Sequence, residues 1–65
     1  MLETIKLNEN LYAARDESRT VLFWLNADNS WNVNLHFTDQ SVDILADSFD
    51  EAEGIAFKFL ETVGA

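Results

Sequence analysis

A chain of 65 residues with no cysteine, one histidine, and four Lys or Arg against twelve Asp or Glu carries a formal charge of −8. That composition excludes a disulfide scaffold and a thiolate metal site, and one histidine alone does not make a structural zinc site. The acidity opposes direct nucleic-acid binding and attachment to an anionic membrane, and it attracts basic protein surfaces.

Apolar residues make up 48% of the chain, with five Phe and two Trp, which supports a packed core and argues against disorder. At this length the expectation is one domain, residues 1–65, of a size that is marginal alone and leans on dense packing or on a partner. The N-terminus has no basic region leading into an apolar run, and no stretch reaches the roughly 20 apolar residues of a membrane span. A soluble, cytoplasmic protein is expected.

Taken in chain order, Thr4–Asn8 places Ile5 and Leu7 in phase and reads as a further edge strand or an ordered arm, with residues 1–8 free to fold back over the sheet. Asn10–Arg15 follows as a short strand, closed by a turn at Glu17-Ser18 that pairs Ala14 with Val21 and Tyr12 with Phe23. The clearest strand pair is Thr20–Asn26 with Trp31–Phe37, where Trp31, Val33, Leu35 and Phe37 alternate with Asn32, Asn34 and His36. Between them, Asn26-Ala27-Asp28-Asn29 suits a type I turn followed by a left-handed residue, and Asn29 tolerates the positive φ. Leu25 then pairs with Trp31 and Phe23 with Val33.

A turn at Asp39-Gln40 leads to a strand over Ser41–Ala46, pairing Phe37 with Val42, Leu35 with Ile44 and Val33 with Ala46. His36 falls opposite Asp43 in that register. Ser48-Phe49-Asp50-Glu51 matches a capping box, in which the Ser hydroxyl and the Glu carboxylate satisfy free backbone N–H groups. The stripe Ala52, Ile55, Ala56, Phe59, Leu60 and Val63 marks the buried side of a C-terminal helix that stops at Gly64. The fold class is α+β: a small antiparallel meander of three to four strands, with one C-terminal helix packed on one sheet face.

Three features remain once the core is filled. The sheet face away from the helix carries Leu11, Ala13, Leu22, Trp24 and Leu45, an apolar set that requires either the N-terminal arm or a partner to cover it. Gly54 and Phe57 lie off the buried stripe, and a glycine inside a helix costs about 1 kcal/mol unless a close approach offsets it; the pair is either a contact point or a tolerated glycine beside a Phe ring folded onto the sheet edge. From Thr20 to Phe57 there is no Lys or Arg but seven acids: Asp28, Asp39, Asp43, Asp47, Asp50, Glu51 and Glu53. Asp28, Asp39, Asp50 and Glu51 have local work in turns and caps, whereas Asp43, Asp47 and Glu53 have none.

No catalytic set emerges. His36 beside Asp43 lacks a nucleophile, the Asn26–Phe37 stretch lacks the glycine and the terminal Glu of a calcium loop, and there is no phosphate-binding glycine loop. The expectation is a non-catalytic protein with no cofactor and no metal, which binds a protein partner with a basic surface. Its sharper form is a small stoichiometric inhibitor of the anti-CRISPR or anti-restriction kind, blocking a nucleic-acid-binding surface of its target. Asp43, Asp47, Asp50, Glu51 and Glu53 supply the charge, while Leu22, Trp24, Leu45, Gly54 and Phe57 supply the contact. The alternative is a homodimeric accessory or antitoxin-like protein whose acids serve solubility.

Overall fold

The computed structural model describes residues 2–63, without the side chain of Val63; the predicted stop at Gly64 lies outside the described residues. Five strands run in chain order, β1 (Glu3–Lys6), β2 (Leu11–Arg15), β3 (Thr20–Leu25), β4 (Trp31–His36) and β5 (Ser41–Ala46), followed by helix α1 (Phe49–Val63). They form one antiparallel sheet in the spatial order β1-β2-β3-β4-β5, so every neighbour in the sheet is also a neighbour in sequence. The class is α+β as the sequence implies, with five strands rather than three to four.

The hairpins explain why the meander closes where it does. Asp16 caps the β2–β3 turn by accepting hydrogen bonds from the N–H groups of Ser18 (2.9 Å) and Arg19 (2.9 Å). In the β3–β4 turn Asn29 sits at φ 72°, the left-handed position that Asn adopts more readily than most residues. The Asn26 N–H meets the Ser30 carbonyl at 2.7 Å, and Asp28 accepts from the Ser30 hydroxyl and N–H. These turns set Tyr12 opposite Phe23, Leu25 opposite Trp31 and Phe23 opposite Val33.

The last hairpin differs from the sequence expectation by two residues. The Phe37 N–H bonds the Gln40 carbonyl, so Thr38 and Asp39 form the loop, and Leu35 faces Val42, Val33 faces Ile44 and Trp31 faces Ala46. A shift of two leaves every side chain on its own face, so the apolar alternation fits both registers equally well. Two contacts favour the observed one. The bulky Trp31 gains the small Ala46 as its neighbour, and Asn34 comes opposite Asp43 and donates to its carboxylate at 2.7 Å. His36 therefore faces Ser41, and the expected His36–Asp43 juxtaposition does not form.

Of the alternatives for segment 1–8, the edge strand is the one observed, and residues 2–8 do not fold back over the outer face. Residues Glu3–Lys6 join the sheet as an edge strand on β2, with Thr4 opposite Ala14 and Ile5 opposite Ala13.

On the other side of the sheet, Ala14, Val21, Phe23, Val33, Leu35 and Ala46 pack against Ala52, Ala56, Phe59 and Leu60 of the helix. Ala52 and Ala56 are fully buried; these two small residues, one turn apart, let the helix axis approach the strands closely. At the helix start Phe49 inserts among Tyr12, Phe23 and Trp31, with ring centroids 4.9, 5.6 and 5.4 Å away. Edge-on and tilted packing of this kind adds to the area term.

The helix N-terminus is capped as the sequence indicates, with one change of partner. The Ser48 hydroxyl accepts from the Glu51 N–H (3.1 Å), while the Glu51 carboxylate accepts from the Asp47 N–H (3.0 Å) and not from that of Ser48. Its C-terminal turn carries no basic residue. The cation comes from elsewhere: Arg19, in the β2–β3 turn, donates to the Leu60 carbonyl at 2.7 Å and lies over the Phe59 ring at 5.4 Å. A guanidinium at that end both fills a free carbonyl and complements the helix dipole.

Two predictions follow from these contacts. Arg19→Ala should lower the unfolding free energy by about 1–2 kcal/mol, as the free carbonyl and the stacked ring both lose their partner. Urea denaturation measures it, and Arg19→Lys should recover only part of the loss. The second concerns acid. Hydrogen bonds from the Ser18 and Arg19 N–H groups hold the Asp16 carboxyl below the ordinary aspartate range, and those from the Ser30 hydroxyl and N–H do the same for Asp28. A carboxylate depressed in the folded state stabilises above its unfolded value, and that contribution is lost as pH falls toward the folded one. The stability gap between the parent chain and Asp16→Asn should therefore narrow as pH drops from roughly 5 to 2, and a constant gap would contradict the assignment.

Candidate protein-contact surface

Two rows of the register assemble the outer face. Leu11, Trp24, Asn32 and Leu45 lie side by side across β2 to β5, and Ile5, Ala13, Leu22, Asn34 and Asp43 form the next row from β1 to β5. The apolar set expected from sequence is brought together, and Ile5 joins it because β1 lies in the sheet. Ala13 is buried by its row neighbours, Trp24 and Leu11 are half-buried, and Leu22 and Leu45 stand exposed at 39% and 67%. No element of the described chain covers this face. Asn32, within the first row, has an amide Nδ2 closed off from solvent that meets no acceptor.

The acids divide differently from the sequence expectation. Asp43 lies on the outer face beside Leu45, Asp47 just beyond the end of β5, and Asp50 and Glu51 in the first turn of α1; all four are exposed. Among the described residues none of the four has a cationic partner. Glu53 does not belong with them. It is half-buried and accepts a hydrogen bond from the Thr4 hydroxyl, tying the helix to β1. Nothing along the chain marks this tie, because it follows from β1 being a strand. Cations sit elsewhere: Arg15 pairs with Glu3 at 2.7 Å, and Arg19 occupies the far end of the helix.

The Gly54–Phe57 site is reduced to one exposed position. Phe57 is half-buried and packs against the core cluster, on the helix side that Glu53 directs toward β1. Gly54 is exposed, and a Cβ added there would meet nothing within 4 Å. Among the described residues no close approach accounts for the glycine.

The larger surprise is β5. Its residues Val42 and Ile44, expected to extend the core, are exposed at 39% and 36% on the helix side, and Phe37 at 41%. From Ser41 to Leu45 every residue is exposed, and only Ala46 is buried. The alternation that revealed β5 says which side chains share a face, not whether the helix reaches them. Among the described residues no group of three or more His, Cys, Asp or Glu is placed to hold a metal ion, and no helix is long and apolar enough to cross a membrane. No family model, curated protein or solved structure matches the chain.

Gly54→Ala should raise the unfolding free energy by about 1 kcal/mol, since the position is helical, exposed and free of neighbours. Thermal or urea denaturation measures it. If a partner's backbone seats on Gly54, the same variant should bind that partner more weakly despite its higher stability.

Proposed function

We propose that this is a non-catalytic protein that binds a basic protein surface and blocks it stoichiometrically. In its sharper form it is an inhibitor of the anti-CRISPR or anti-restriction kind, aimed at a surface that holds nucleic acid. The observation that carries this reading is the corner where β5 meets α1. There Asp43, Asp47, Asp50 and Glu51 are exposed and, among the described residues, have no cationic partner, beside Leu45, which is 67% exposed. Acids that only solubilise are usually interspersed with Lys and Arg, whereas this corner is single-signed.

Such an arrangement divides the work of binding. The field of the corner steers a cationic surface and raises the association rate, and desolvation of Leu45, Leu22 and Trp24 supplies the lifetime of the complex. The alternative, a homodimer through the outer face, is favoured by the uncovered Leu22–Trp24–Leu45 patch. It must bring two chains of charge −8 together, and would therefore strengthen with salt where the first reading weakens.

Recovery of the partner by pull-down from the native host at two salt concentrations supplies the reagent for the test. Asp43→Lys with Asp47→Lys leaves the capping Glu51 intact, and should weaken binding of that partner by on the order of tenfold or more at low salt, about 1.4 kcal/mol. The variant should keep its circular dichroism spectrum. Unchanged affinity in a folded variant removes the electrostatic mechanism, and a dimer by light scattering that tightens with salt supports the alternative.

A further inference from the structure

The sheet has two open edges, and they are built differently. β1 is four residues long, its Glu3 is paired with Arg15, and its Thr4 is bonded to Glu53 of the helix. Short, charged and tied edges of this kind resist pairing with another chain. β5 is six residues long, holds Val42, Ile44 and Leu45, and is exposed throughout except at Ala46.

The direction of its backbone groups follows from the last hairpin. In an antiparallel pair the bonded positions alternate. Counted from the Phe37 N–H to Gln40 carbonyl bond, Val42, Ile44 and Ala46 turn their N–H and C=O groups toward β4. Ser41, Asp43 and Leu45 turn theirs toward the open edge. The same positions carry their side chains on the outer face, Asp43 beside Leu45 with Asp47 just beyond. On the helix side, the exposed Val42 and Ile44 form an apolar ledge.

We propose that β5 is a docking edge, and that its occupant is an extended segment of the partner protein that adds a sixth strand and alternates apolar with basic residues. The apolar side chains of that segment lie on Val42 and Ile44; its Lys or Arg side chains, on the other face, meet Asp43 and Asp47. Main-chain hydrogen bonds to Ser41, Asp43 and Leu45 give affinity, and the alternation gives selectivity, as in strand addition generally. Charge complementarity selects this occupant over a second copy of the chain. Two β5 edges paired about a two-fold axis would bring Asp43 and Asp47 of both copies together, with no cation on either strand. The proposal rests on the basic-partner reading above and specifies how the partner is held.

The test uses the intact protein and a capped peptide of about ten residues alternating Val and Lys, with a Val and Glu peptide as control. Titration by NMR reports binding, and amide exchange reports the edge. The expected result is binding of the Lys peptide only, with slowed exchange at the Ser41, Asp43 and Leu45 amides. Leu45→Pro removes an outward N–H without touching the β4 ladder, and should weaken binding roughly tenfold relative to Leu45→Ala. Binding that needs Asp43 and Asp47 but leaves the three edge amides unprotected overturns strand addition while the electrostatic reading survives. Equal behaviour of the two peptides, or absence of binding by both, overturns strand addition, while the basic-partner reading is decided separately by the Asp43→Lys with Asp47→Lys variant. Protection of the edge amides in the protein alone, growing with concentration, replaces the partner segment with a second copy.

Discussion

A single helix cannot roof this sheet. A helix with its side chains is about 10–12 Å across, whereas five strands at about 4.8 Å spacing span roughly 19 Å between the outermost backbones. The packing resolves the mismatch by setting the helix over Phe23 of β3 and Val33 of β4, both fully buried. Phe49 wedges into the aromatic group at one end, and Arg19 holds the last turn at the other. Because the roof is narrower than the sheet, its margins are bare. β1 is recovered by the Thr4–Glu53 bond. β5 has no such bond, and its Val42 and Ile44 stay wet.

How much of this was legible follows from what each local signal encodes. Turn chemistry at Asn29 fixed the β3–β4 hairpin residue by residue, because the left-handed residue and its cap lie within the turn itself, whereas the β2–β3 turn was legible from the pairing of its apolar residues and not from its Asp16 cap. The loop Thr38-Asp39 has no such marker, and two registers share one alternation, so the choice fell to Ala46 beneath Trp31 and Asn34 beside Asp43. Neither pairing is visible along the chain. The capping box was legible for the same reason as the β3–β4 turn. The part of Glu53 in holding β1 was not, since it joins residues 49 apart in sequence.

The candidate surface was legible in kind and displaced in detail. Period-two reading placed Leu22, Trp24, Leu45 and Asp43 on one outward face, and the structure places them there. Helical spacing set Phe57 off the buried stripe and left two outcomes, an exposed contact point or a ring folded onto the sheet edge, and the ring lies against the core. A helical wheel gives the direction of a side chain relative to the helix axis, and whether that direction meets solvent or a strand depends on where the helix lies on the sheet. The same missing information explains why Val42 and Ile44 were counted as core.

The connectivity bears on how the fold assembles. Each strand pairs with the one before it across a short loop, so the sheet grows by local closures that cost little chain entropy. The helix is the exception: its two polar ties, Thr4 to Glu53 and Arg19 to Leu60, bridge separations of 49 and 41 residues. A meander of low contact order forms fast, and long-range contacts set the slower step. Until the helix docks, both faces of the sheet are apolar and both edges are open. Asp43, Asp47 and the acids at the helix start then act as like charges between half-built copies during the one interval in which they could pair.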